Sequence, residues 1–156
     1  RLEQATAFGA DHVIDMDEYD TVDARADRVR EFTDGLGADL GIAVAGVPAA
    51  FVEGVELVRK GGRYLEMGNV RPGYDCDFHP GRLTRKSIDI TTAVEYDPRV
   101  LADALEFLEQ TVDDYPYDQL IDAEFPLAEI EPALEASENR DLTRATLVPP
   151  GEEPSR

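Results

Sequence analysis

The sequence predicts an α/β fold built as a doubly wound parallel sheet, and two observations carry that reading. Stretches of helical periodicity alternate with short apolar runs along the whole chain. The runs themselves, "DLGIAVAG" (39–46) above all, are nearly continuous in small and apolar residues. Continuous runs mark strands buried on both faces of a parallel sheet, and parallel strands need helical crossovers between them.

Each element follows from its residues. Leu2, Ala5 and Phe8 share helical spacing and Gly9 offers a stop; "HVID" (12–15) then reads as a short strand. Thr21 can cap the next helix, whose apolar face is Val22, Ala26, Val29 and Phe32, and Gly35 and Gly37 end it. After the 39–46 strand, Pro48 suits a first helical turn, Phe51, Val55 and Val58 form a stripe, and "KGG" (60–62) stops it. "RYLEMG" (63–68) is the next strand, and a loop over 69–81 leads to the strand "SIDITTAV" (87–94). The clearest helix is 97–112, with Asp97 as cap, Pro98 in its first turn and a stripe of Leu101, Ala104, Leu105, Leu108 and Val112 that reads as core. A C-terminal helix (128–137) lies between two strands (120–125 and 144–148), with Pro132 acceptable only in that helix's first turn.

At 156 residues the chain is long enough to bury a core. Its net charge of −19, from 34 acidic and 15 basic residues, sets up a field that repels nucleic acid and anionic membranes, so neither is expected as a partner. No run approaches the roughly 18 apolar residues of a membrane span. One cysteine, Cys76, excludes an intramolecular disulfide and points to a cytoplasmic setting. The acids are scattered rather than gathered in a tail, and only two cations are lysines, Lys60 and Lys86. That pattern suits a salt-rich cytoplasm, where counterions screen the repulsion.

In doubly wound sheets, ligands bind outside the carboxyl ends of the strands. Two strands end there in glycine, "VAG" (44–46) and "EMG" (66–68), where a flat ligand can approach the backbone; turn residues would read the same way. "DCDFHP" (75–80) gathers potential metal ligands, but zinc needs ligands converging from separate segments and no second cluster is seen, so it reads as a loop with no metal. No GxSxG elbow accompanies a Ser–His–Asp set.

The order "GADHVID…GLGADLGIAVAGVPAAF…LVRKGGRYLEMG", continued by "FHPGRLTRKSIDITTAVEYDPRVLADALEFLEQ" and "LIDAEFPLAEIEPALEAS…LTRATLVPP", resembles the cofactor domain of the medium-chain, zinc-type alcohol dehydrogenases over about residues 1 to 150. The resemblance implies a Rossmann-type sheet lacking its first two strands, with 1–115 as a partial NAD(P)-binding domain, 116–150 returning toward a catalytic domain, and 151–156 a tail. It implies the cofactor NAD or NADP, bound weakly or not at all by this chain alone, because no G-x-G-x-x-G turn leads into a helix here. Zinc would belong only to the family's separate catalytic domain.

Carried over by position, Val44, Ala45 and Gly46 match where the family packs the ribose and nicotinamide. Met67, Gly68 and Asn69 match one contact to the carboxamide, and Thr91, Thr92 and Ala93 a second. Arg144 matches a basic residue on the pyrophosphate, a role suited to a guanidinium, and Arg1 one facing the adenosine. No catalytic residue falls in the chain on this reading. The parent enzyme would oxidise a small alcohol or reduce a carbonyl compound, and would form a homo-oligomer through 87–94; the chain alone would be inactive and poorly stable. The alternatives are a non-catalytic remnant or oligomerisation module, and part of a zinc-free reductase of the same superfamily.

Overall fold

The computed structural model describes residues 1–68, 73–139 and 141–151; Asn69 and most of the predicted tail, 152–156, lie outside them. In chain order the elements are α1 (Leu2–Ala7), α2 (Val22–Phe32), β1 (Ala38–Ala43), α3 (Pro48–Leu57), β2 (Val58–Glu66), α4 (Gly81–Lys86), β3 (Asp89–Thr92), α5 (Pro98–Thr111), β4 (Ala123–Pro126), α6 (Ile130–Glu138) and β5 (Ala145–Val148). They fall into two compact units, one of Ile14–Leu101 and one of Arg1–Val13 with Ala102–Arg156.

The 14–101 unit holds a parallel sheet in the order β1-β2-β3. Thr21 caps α2 as its sequence requires, its Oγ1 accepting the Ala24 N–H at 3.1 Å. α3 begins at Pro48, where the missing N–H costs nothing. It packs on one face of the sheet, and there lies the core: Val55, Val58 and Tyr64 are 0%, 1% and 2% exposed, joined by Ala43 and flanked by Phe51, Ile88 and Ile90. Phe51 meets the Tyr64 ring edge-on at 5.6 Å and the Phe78 ring at 5.0 Å. Burial pushes the Tyr64 phenol up from its usual 10 to about 12, with Glu66 and Glu53 adding to the shift.

α2 and α3 are held together by a buried ion pair. Arg25, 7% exposed, donates through Nε and Nη2 to the two Glu53 carboxylate oxygens at 2.6 and 2.8 Å, and through Nη1 to the Tyr19 carbonyl at 2.5 Å. The fork of the guanidinium matches the carboxylate, so neither charge is left bare. The Glu53 bond is the main reason that the Arg25 pKa is raised.

Four sequence expectations are corrected here. "HVID" (12–15) forms no strand: no strand among the described residues lies beside it to complete a ladder, and an isolated extended segment is marginal at best. The strand expected at 63–68 starts earlier, at Val58, because Ala38 pairs with Val58 and Leu40 with Arg63. The glycines of "KGG" therefore sit in a bulge between those pairs instead of ending a helix. β1 is not buried on both faces, since Leu40 and Ile42 are 47% and 58% exposed. The stripe of α5 is likewise open, with Leu101, Leu105 and Leu108 among the exposed residues; amphipathic periodicity formed the helix without a layer to cover it. α4 was not foreseen within the stretch after the Gly- and Pro-rich loop; its last turn carries Arg85 and Lys86, suited to a helix C-terminus.

In the second unit β4 pairs parallel with β5 across α6, from Ala123 beside Ala145 to Pro126 beside Val148. Pro132 falls in the first turn of α6, as its missing N–H demands. The rings of Phe8, Tyr115 and Tyr117 cluster at 5.7–6.0 Å, and the Tyr117 hydroxyl lies 2.7 Å from Thr111 Oγ1. No helix among the described residues is long and apolar enough to cross a membrane.

Candidate functional site

Parallel register places the three strand ends of the first sheet level with one another. Ala43 sits beside Glu66, and Glu66 beside Thr92, so the residues that follow emerge along one edge. Backbone bonds continue the alignment past the strands: the Met67 N–H donates to the Ala43 carbonyl at 2.9 Å, and the Ala93 N–H to the Glu66 carbonyl at 3.2 Å. The predicted residues Val44, Ala45, Gly46, Met67, Gly68, Thr91, Thr92 and Ala93 therefore share one lip, and Val44 (75%) and Met67 (43%) open to solvent there.

Gly68 is the tightest point of that lip. A Cβ built on it would lie 2.1 Å from the Ala45 carbonyl oxygen, and its N–H donates to Glu66 Oε1 at 3.0 Å. Gly46 faces it, with the Gly68 carbonyl 3.7 Å from where a Gly46 Cβ would stand. The two loops meet backbone to backbone, leaving a low ledge without side chains between them.

Arg1 and Arg144 belong to the other unit, and there they share one small network. Arg1 Nη2 donates to the Leu142 carbonyl at 3.0 Å. The backbone N–H groups of Thr143 and Arg144 donate to the two Asp122 oxygens at 2.7 and 2.9 Å, which hold the Asp122 carboxyl below the usual range. Gln4 links the same loop by 2.5 Å to Thr143 Oγ1 and by 3.0 Å to the Gln119 carbonyl. The Arg144 side chain is exposed and has no ion pair among the described residues, so its guanidinium is available to an anion. Asp122 and Gln4 were missed from sequence, because residues separated by 21 and 139 positions give no local signal of meeting.

Among the described residues no group of three or more His, Cys, Asp or Glu could hold a metal ion, and Cys76 is exposed. The arrangement thus offers binding surface: a backbone ledge at parallel strand ends in one unit, and a tethered arginine in the other.

Comparison with known proteins gives the family. Residues 1–110 match the profile of the zinc-binding dehydrogenase family, and the chain belongs to that family. It is 27% identical over 150 residues to a sorbitol dehydrogenase of Halalkalibacterium halodurans, spanning 96% of this chain and 41% of that protein. It is 32% identical over 135 residues to a 5-exo-hydroxycamphor dehydrogenase of Pseudomonas putida, spanning 86% of this chain and 37% of that protein. An alcohol dehydrogenase structure from Thermotoga maritima superposes with a TM-score of 0.83 at 28% identity, over 95% of this chain and 40% of that one. The chain thus spans about two fifths of the length of these relatives.

Proposed function

We propose that the chain is the C-terminal, nicotinamide-side portion of a zinc-dependent alcohol dehydrogenase that transfers hydride between a small alcohol and NAD or NADP. The observation that carries the reading is the level set of strand ends, closed at Gly68 against Ala45 by backbone alone. Bound there, the nicotinamide would supply the hydride-accepting carbon. Val44–Gly46, Met67, Gly68 and Asn69, and Thr91–Ala93 would orient the ring and its carboxamide through backbone groups; Arg144 would neutralise the pyrophosphate and Arg1 face the adenosine. None of these groups moves a proton, and zinc would act from another domain. Residues 1–115 would form the cofactor side, 116–150 the return toward the catalytic domain.

Three further readings go with this one. The chain alone is inactive and binds the cofactor weakly, as the pyrophosphate-gripping glycine turn is not among its residues. The complete enzyme is a homo-oligomer, favoured by β3, which lies at the sheet edge with one side unpaired among the described residues. A salt-rich cytoplasm is the setting, on the acidic charge and the two lysines.

Calorimetric titration of this chain with NAD and NADP tests the site: weak or absent heat is expected, and tight binding would mean that the cofactor site is misplaced. Reading the codons upstream of Arg1 tests the enzyme class. A GxGxxG turn with Cys, His and Glu ligands in frame supports the zinc enzyme; the glycines without those ligands indicate a zinc-free reductase, and a stop codon a non-catalytic module. A light-scattering mass equal to one protomer for the complete protein would dispose of the oligomer.

A further inference from the structure

We propose that a cationic groove beside the C-terminal end of α3 is a second binding site, selective for a small phosphate-bearing anion. The groove encloses about 840 Å³ and is lined by four cations, Lys60, Arg82, Arg85 and Lys86, against two carboxylates, Asp23 and Glu56. A smaller cavity of about 430 Å³ shares Glu56, Lys60 and Lys86 with it.

In a chain with 34 acids and 15 bases this inversion of sign is local and specific. Both lysines of the sequence line the groove.

Structural duty accounts for only half of these cations. Lys86 Nζ donates to the carbonyls of Val55, Glu56 and Val58 at 2.8, 2.9 and 3.1 Å, closing the end of α3. Arg82 donates to Glu56 Oε1 at 2.7 Å. Lys60 has no ion pair among the described residues, and Arg85 makes one long bond of 3.3 Å to the Gly81 carbonyl. Two cations thus face a concave surface uncommitted, and Glu56 already has Arg82 and Lys86 on it.

The rest of the molecule does not cancel this. Charges beyond about 10 Å are screened at ordinary ionic strength, so the groove's own residues set the sign that a ligand meets. A guanidinium pairs with two phosphate oxygens at once and an ammonium adds a point charge, which favours phosphate over a single carboxylate. The first turn of α2, at Thr21–Asp23, lines the groove too, but Thr21 caps it and Asp23 sits in it, so the cations carry the attraction. A polymer is disfavoured, since the chain's net charge of −19 repels a polyanion as a whole.

Inorganic pyrophosphate, titrated into the full chain at constant ionic strength, tests the proposal. Saturable binding is expected, weakened about tenfold or more in K60Q/R85Q, each change removing a charge-assisted contact. Both residues are exposed, so the double variant should keep the parent's melting curve. R144Q is the companion variant: it should leave binding at the groove, read by the amide shifts over 21–23 and 82–86, unchanged, whatever it does to pyrophosphate held at Arg144. Amide shifts in the unsubstituted chain, expected over 21–23 and 82–86, give a readout that needs no variant. Absence of saturable binding, loss of binding in R144Q with retention in K60Q/R85Q, or shifts confined to 142–145 would each overturn it.

Discussion

On one face of the β1–β2–β3 sheet, Val58 and Tyr64 are 1% and 2% exposed beneath α3; on the other, Leu40 and Ile42 keep 47% and 58% of their surface in water. The sheet is the same and the residue types are similar. What differs is the layer above them. A β-strand turns alternate side chains to opposite faces, so Gly41 and Ala43 of β1 belong with the core while Leu40 and Ile42 belong with solvent. Apolar character records what a face was selected to meet, and burial records what this chain supplies.

The largest predicted effect lies on the covered face. Tyr64→Ala should destabilise the chain by about 3–5 kcal/mol, the cost of a large aromatic removed from a packed site, as read by denaturant midpoint. Next is Glu53→Ala: it strands Arg25 in a buried position and should cost about 1.5–3 kcal/mol, the range for a hydrogen bond to a charged group. Thr21→Ala, which removes the α2 cap, should cost about 1 kcal/mol. On the open face, Ile42→Ala should change stability by less than about 0.5 kcal/mol, as for other surface sites. A value for Ile42→Ala close to that of Tyr64→Ala would break the comparison, since it would show that face to be covered in solution.

Alkaline titration sharpens the same contrast. The folded Tyr64 phenol holds its proton to about pH 12 while the unfolded one releases it near its usual 10. Stability from its neutral form is full below pH 10 and is lost as pH rises through that window. The loss should be absent in Tyr64→Phe, measured by melting temperature from pH 9 upward.

Much of the architecture could be read from sequence. The Thr21 cap, Pro48 at a helix start, Asp97 accepting the Arg99 N–H at 2.9 Å and Pro132 in a first turn are local rules with local outcomes. The strands expected to run to Gly46 and Gly68 end earlier, at Ala43 and Glu66, because glycine after an apolar run marks the turn and not the last ladder pair. What failed was whatever depended on a neighbour. Among the described residues "HVID" has strand composition and no strand to pair with, and the α5 stripe has periodicity and no cover. Asp122, which tethers the backbone of Thr143 and Arg144, is legible only once β4 and β5 lie side by side.

The clamp between Arg25 and Glu53 has a bearing on brine. Dissolved ions weaken attractions that water can reach, so the outward pairs, such as Arg99 with Asp97, would fade as salt is added. Counterions cannot slip between partners that are almost sealed from water. In a concentrated electrolyte this contact would become the dominant charge–charge link of its unit, and the α2–α3 pair its most salt-indifferent part.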